Sequence, residues 1–178
     1  YPAAGLLLPV NGEDGAAVCC GEQGWAWDSS ALYAGISSVG MFGSGLWRVD
    51  ASNGDMTTLL PTESGGNYNL ASEPYLAPDG QLYFFFANLP ATEEFVSRPP
   101  LQIVRSAPDG VTGRTVLLPE TFQLMNEALW APDASFVIAA IAPTDAVYAG
   151  GALELFYTHA EAGFLTLAPF GQQLKWGP

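Results

Sequence analysis

Few residues in this chain could do chemistry, and their spacing argues against most of it. His159 is the only histidine, so a Ser-His-Asp triad would have to use it as the base. It falls within Thr158-His159-Ala160-Glu161-Ala162-Gly163, a segment between apolar runs that reads as a solvated hairpin turn. No Gly-x-Ser-x-Gly nucleophile elbow occurs, and Gly43-Ser44-Gly45 reads as a flexible loop. Phosphate-cradling glycine loops, dinucleotide fingerprints and EF-hand spacings are absent from the sequence. Cys19 and Cys20 are adjacent. Neighbouring Cα atoms lie about 3.8 Å apart, short of the roughly 4.4 Å that a relaxed disulfide spans. The pair reads as two buried thiols, without the further Cys and His ligands that a zinc site uses.

The carboxylates are more numerous. Asp28, Asp79, Asp109 and Asp133 could suggest a metal site or an acid/base pair. Three of them, Asp28, Asp79 and Asp133, hold one position of an internal repeat, which sets them on successive structural units rather than at one point. An Asp in a turn bonds its own backbone two residues on, and that explains the series better. Glu93-Glu94 lies in a Pro-bounded insertion, Ala87 to Pro100. A paired carboxylate can work if a second one faces it across a sugar bond; a solvated loop is the default reading. The sequence thus offers no catalytic residue, calls for no cofactor and assembles no metal site.

The elements that would position any site are set by composition. The chain has 178 residues, of which 49% are hydrophobic and 13% charged, the balance of a folded domain rather than a disordered one. Gly (20) and Pro (14) imply many turns and short elements. Eighteen acidic against five basic residues give a net charge of −13. Nucleic acid needs clustered Lys and Arg, so it is excluded as a partner, and an anionic membrane surface is repelled. No strictly apolar stretch approaches the roughly 20 residues of a membrane span. Tyr1 is not an initiator Met and no basic-start signal peptide is visible, so the N-terminus is expected to have been cut by processing or fragmentation.

Three markers recur at intervals of roughly 50 residues, a period that repeat architectures show. The first is a turn: Leu76-Ala77-Pro78-Asp79-Gly80 recurs as Trp130-Ala131-Pro132-Asp133-Ala134, as Trp25-Ala26-Trp27-Asp28 without Pro or Gly, and as Trp176-Gly177-Pro178. The second is the apolar run after it, at Leu32-Tyr33, Leu82 to Phe86 and Phe136 to Ile141. The third is a hairpin ending near Leu-Leu-Pro, at Leu7-Leu8-Pro9, Leu59-Leu60-Pro61, Leu117-Leu118-Pro119 and Leu167-Ala168-Pro169. Asn53-Gly54, Pro108-Asp109-Gly110 and Gly163 mark the hairpin turns. The period therefore predicts four short antiparallel strands per unit. The runs Leu82 to Phe86 and Phe136 to Ile141 are apolar on both faces, as strands covered on both sides are. A blade packed between two blades has that environment, so the fold class is all-β: a β-propeller fragment of about three complete four-stranded antiparallel blades with partial blades at both ends.

With the Trp/Leu-Ala-Pro-Asp-Gly turn, the apolar strand and the Leu-Leu-Pro hairpin in place, the chain resembles the TolB-type, WD-repeat-like propeller repeat of bacterial proteins. The resemblance runs from Leu6 to Pro178, with departures at Asp28, which lacks its Pro and Gly, and at Ala134, which stands where Gly80 does. It implies one partial propeller over 1–178. An outer strand of a preceding blade falls at 1–10, repeats fall at approximately 24–61, 73–119 and 128–170, and a further blade begins at 174–178. Propellers have 4–8 blades, so the chain is expected to be a piece of a longer protein.

The resemblance also implies function. Trp25, Trp130 and Trp176 would be packed core. Tyr68, Phe122 and Met125 would lie in loops that join one blade to the next. Those loops, with the second-to-third-strand connections, surround one mouth of the channel, where a protein or small ligand binds. Asn67-Tyr68-Asn69, Glu93-Glu94 and Asn126-Glu127 are the implied binding loops. The implied protein is a non-enzymatic, exported scaffold, periplasmic or secreted. The alternatives are the propeller of a prolyl-oligopeptidase-like peptidase or other hydrolase, whose elbow and catalytic His lie outside this chain, and a propeller hydrolase with acids lining its channel.

Overall fold

The Asp turn takes one geometry in all three repeats. In each, the turn alanine N–H donates across the turn to a carbonyl at or just before the start of the next strand: Ala26 to Ala31, Ala77 to Gln81 and Ala131 to Phe136, at 2.9–3.0 Å. The Asp carboxylate accepts from the backbone N–H two residues on: Asp28 from Ser30 at 3.0 Å, Asp79 from Gln81 at 2.9 Å and Asp133 from Ser135 at 3.0 Å. The residue after Asp is left-handed whichever residue it is, with φ +60° at Ser29, +76° at Gly80 and +56° at Ala134. The departures at Asp28 and Ala134 therefore leave the turn unchanged. Its buried member is the alanine, at 2%, 0% and 1% exposure for Ala26, Ala77 and Ala131.

The computed structural model describes residues 22–36, 45–92, 98–159 and 163–177. Cys19-Cys20, the strand expected at 1–10, Gly43-Ser44, Glu93-Glu94 and Pro178 lie outside the described residues. Within them the chain is all-β, in three antiparallel sheets whose strands follow chain order. The first contains β1 (Glu22–Trp25), β2 (Ala31–Ile36), β3 (Gly45–Asp50) and β4 (Met56–Leu60). The second opens with the two-residue β5 (Glu63–Ser64), then β6 (Asn67–Leu76), β7 (Leu82–Pro90), β8 (Gln102–Ser106) and β9 (Thr115–Val116). The third contains β10 (Met125–Trp130), β11 (Phe136–Ile141), β12 (Gly151–Tyr157) and β13 (Leu165–Gly171). These are the blades that the repeat predicts, with β5 as an addition beside β6.

Two strands of the second blade depart from expectation. The sequence ends the second strand at Phe86 and reads Asn67 to Asn69 as loop. Instead β6 begins at Asn67 and β7 continues to Pro90, pairing Asn67 with Pro90, Tyr68 with Leu89 and Asn69 with Asn88. The polarity of this stretch marks the wet end of a ladder rather than its absence, and asparagine amides bond across it. The register of β6 against β7 shifts between Ser72 and Tyr75, where Glu73 has φ +49°. A proline inside a strand pattern marks an edge or a bulge, and Pro74 stands at this one.

The blades pack through β7. Side chains alternate across a strand, and Tyr83, Phe85 and Ala87 join Trp130, Val137, Ala139 and Phe156 of the third blade in one apolar cluster. Leu82, Phe84 and Phe86 join Ala31, Tyr33 and Leu46 of the first blade in the other. The first blade comes in so close that side chains must give way. A Cβ on Gly35 would sit 2.5 Å from the Ala71 carbonyl oxygen of β6, and one on Gly24 would overlap the Pro74 carbonyl.

The tryptophans correct the expectation of a packed Trp series. Trp130 is 8% exposed, but Trp25 and Trp176 are 53% and 46% exposed. Trp130 and Trp176 each lean back on what precedes them. Trp130 lies 5.8 Å from Tyr83 and 5.7 Å from Phe85, and its Nε1 donates to the Glu73 carbonyl at 2.7 Å. Trp176 donates to the Trp130 carbonyl at 2.9 Å and meets Phe136. Trp130 is buried because β7 stands behind it. Trp25 follows Gly24, which faces β6, so it points to the opposite side of its sheet, where no described blade stands. Phe122, expected in a mouth loop, is 4% exposed and packs edge-on to Phe85 and Phe156.

Because the two clusters share β7, Phe84→Ala and Phe85→Ala should each lower stability by about 3–5 kcal/mol, read from the urea unfolding midpoint. A loss under about 1 kcal/mol at either position would show that the corresponding blade face is not packed.

Candidate binding face

The paired ends of β6 with β7, and of β10 with β11, lie at one end of the sheets. The connections that precede β6 and β10, and those that follow β7 and β11, cluster there. Two polar brackets tie this end. In the first, Asn67 Nδ2 donates to Asn88 Oδ1 at 2.7 Å, and Asn88 Nδ2 donates to Asn69 Oδ1 at 3.1 Å. Asn69 Nδ2 donates to the Pro61 carbonyl and to Ser64 Oγ, both at 2.9 Å. Asn69 is 3% exposed, so it fastens the β5 connection to the ladder and presents nothing outward.

The second bracket joins two blades. Asn126 Nδ2 donates to the carbonyls of Val147 (3.0 Å) and Gly150 (2.8 Å). Arg98 Nη2, from the connection after β7, donates to Asn126 Oδ1 at 3.2 Å and to the Val147 carbonyl at 2.8 Å. The Arg98 guanidinium also lies 5.4 Å from the ring centre of Tyr148, a cation–π arrangement. Tyr148 is 81% exposed. Glu127 is engaged elsewhere: its Oε2 accepts the Leu174 N–H at 2.9 Å.

Of the sequence candidates, Asn67, Tyr68, Asn69, Asn126 and Glu127 thus lie in the opening segments of two strands rather than in loops, and three of them carry mainly structural bonds. Arg98 and Tyr148 were not singled out from sequence. The available signal was that Arg98 is one of five cations and Tyr148 an aromatic in the segment between β11 and β12.

The other candidates have structural tasks. His159 stands edge-on to Tyr83 at 6.4 Å, and no hydrogen bond joins it to a nucleophile among the described residues. Asp28, Asp109 and Asp133 sit in exposed turns, where bonds from the hydroxyl and then the backbone of Ser30, Thr112 and Ser135 respectively, with the Val111 N–H also at Asp109, hold their carboxyls below the ordinary value. No group of three or more His, Cys, Asp or Glu gathers as a metal site among the described residues, and no helix there is long and apolar enough to cross a membrane. What the face offers is amide and phenol hydrogen bonding with an aromatic surface.

Two clefts open near this end. One, of about 340 Å³, is flanked by Phe86, Asn88, Gln102 and Arg114, with the Arg114 guanidinium 4.0 Å over the Phe86 ring. The other, of about 320 Å³, lies between the connection before β10 and strand β12.

No protein-family model matches the chain, and no curated protein matches it. Among solved structures, the crystal structure of TolB from Acinetobacter baumannii matches over 83% of this chain and 34% of its own, with 15% identity and a TM-score of 0.49. A chain in the crystal structure of a nidogen/laminin complex matches over 84% of this chain and 48% of its own, with 13% identity and a TM-score of 0.54. The chain spans about a third and about half of the lengths of these two. The likeness is one of fold, and the fold is of the β-propeller type.

At the opposite end of β7, beside the Asp79 turn, Tyr83 is fully buried and its hydroxyl donates to Asp79 Oδ2 at 2.8 Å. Burial, then the Asp79 carboxylate, push its hydroxyl up to about 12. An unfolded tyrosine ionises near pH 10, so the unfolded chain loses this proton first. The stability that the shift contributes is complete below about pH 10 and is lost as pH rises through about 12. The urea midpoint of the wild-type chain should therefore fall more steeply above pH 10 than that of Tyr83→Phe; parallel curves would refute this.

Proposed function

We propose that this chain is part of a β-propeller scaffold that binds a protein or small ligand at the mouth formed by the Arg98–Asn126–Tyr148 bracket and the outward side of Asn67-Tyr68, without catalysing a reaction itself. The parent protein is a longer, exported bacterial one, periplasmic or secreted. Its blades continue the three repeats, with further blades beyond them.

The observation that carries this reading is Tyr148. A large aromatic 81% exposed, but backed by a guanidinium that is itself bonded to two groups, presents contact area already held in place. Little ordering entropy then opposes binding, and exposed Tyr with Arg is the pairing that binding hot spots favour. A structure of this fold solved as a nidogen/laminin complex supports a protein partner. The larger-parent reading is supported by what the outer blades leave uncovered: Trp25 and Trp27 on the first, and Leu165 and Phe170 on the third, all more than half exposed.

A photoreactive residue at position 148 should cross-link a discrete partner in extract of the source cells, whereas the same residue at 111, exposed on the outer hairpin, should not. Equal labelling from both positions, or none from 148, would remove the mouth as a binding face. The isolated 178-residue chain should show concentration-dependent elution in size-exclusion chromatography, because sheet faces stay open at both ends. A monomer at all concentrations would count against a larger parent.

A further inference from the structure

We propose that the cleft between strand β12 and the connection leading into β10 binds an organic cation, an ammonium or guanidinium group carried on an apolar stem. The cleft measures about 320 Å³, and its walls include Glu120, Phe122, Leu124, Glu154, Phe156 and Phe164. The backbone dictates part of this set. Glu154 and Phe156 are two apart on β12, so they project to the same side of the sheet. The rings form a continuous wall: Phe122 meets Phe156 edge-on at 4.9 Å, and Phe156 meets Phe164 at 5.8 Å.

Into this apolar setting the chain introduces Glu120, half-buried as a residue, with one carboxylate oxygen shut away from solvent. Glu120 Oε2 is buried and accepts no hydrogen bond among the described residues. A buried carboxylate oxygen left unpaired is costly, and such groups in folded proteins call for a partner. None is supplied by the described residues; Arg48, one of the five cations, pairs instead with Asp50 at 3.4 Å. A second acid, Glu154, lines the same cleft.

The chemistry of the walls selects the ligand. Carboxylates and a net charge of −13 exclude anions and draw cations from a distance. A bare divalent cation of the calcium type seeks six to eight oxygen ligands, and the cleft offers two carboxylates among phenyl rings. Phenyl faces attract ammonium and guanidinium groups and bury an apolar stem. The volume is at the small end for ligand sites, room for a single amine or one Lys or Arg side chain of a partner. This site is separate from the Tyr148 bracket, and its failure would leave the binding face untouched.

The test is ligand-observed NMR on the 178-residue chain with 3-phenylpropylamine, its alcohol, its carboxylic acid, and a short lysine peptide with its acetyl-lysine counterpart. The amine should bind at millimolar Kd or tighter, of the order that its few heavy atoms allow. The alcohol and the acid should bind at least tenfold more weakly. Glu120→Gln and Glu154→Gln, isosteric changes whose unfolding midpoints verify the fold, should each weaken the amine at least tenfold, whereas Glu63→Gln should not. Binding of the lysine peptide but not its acetylated form would support the site and assign it to a partner's side chain. Binding of the free amine alone would support it and assign it to a small molecule. Absence of binding by both, equal binding of the alcohol, or full binding by Glu120→Gln would overturn the proposal.

Discussion

The arrangement of this chain depends on one strand that has no solvent side. The first six residues of β7 are all buried, and alternation sends them in turn toward the first and the third blade. A strand can be apolar on both faces only if both are covered. With each phenyl side chain contributing about 1.5–3 kcal/mol on burial, Phe84, Phe85 and Phe86 together commit the second blade to two neighbours. Other features accommodate that commitment. Gly35 lets the β2 backbone approach β6, the Glu73 bulge turns a carbonyl toward Trp130, and Tyr75 reaches the Pro132 carbonyl of the next turn at 2.7 Å.

This explains which parts of the fold are legible in the sequence. The repeated Asp turn is local: the carboxylate bonds a backbone group two residues away, so short-range chemistry suffices to identify it. The covering of Leu82 to Phe86 is legible because solvent would have forced alternation. Burial of individual tryptophans is not legible, because it depends on whether a neighbour stands on that side. Trp25 and Trp130 occupy equivalent turn positions and differ from 53% to 8% in exposure. The polar openings of β6 and β10 fail for a related reason. Asn67, Asn69 and Asn126 have the composition of loops, yet their amides are spent on cross-strand and cross-blade bonds. The one sign of the bulge is Glu73-Pro74, which reads as a strand interruption until the partner strand is known.

The candidate site was correspondingly harder to read. At this end of the sheets, the side chains left to face outward are those that the brackets do not take up. Asn69 and Glu127 are consumed by structure. Arg98 is partly consumed, but its bonds to Asn126 and Val147 set the guanidinium beside Tyr148. That juxtaposition spans about 50 residues of sequence and two blades, and no motif announces it.

The distribution of charge carries the same logic to the surface. Of the five cations, Arg48 pairs with Asp50, Arg98 is held in the interblade bracket and Arg114 lies over Phe86. The basic side chains are thus largely turned to internal tasks, while acids outnumber them and several sit in exposed turns. A surface so composed presents a negative field that attracts cations before any specific contact forms. A field of that kind sets no orientation by itself. Orientation has to come from places where an acid is set among aromatic rings, so that charge and shape are recognised together, and the cleft holding Glu120 beside Phe122 and Phe156 meets that condition.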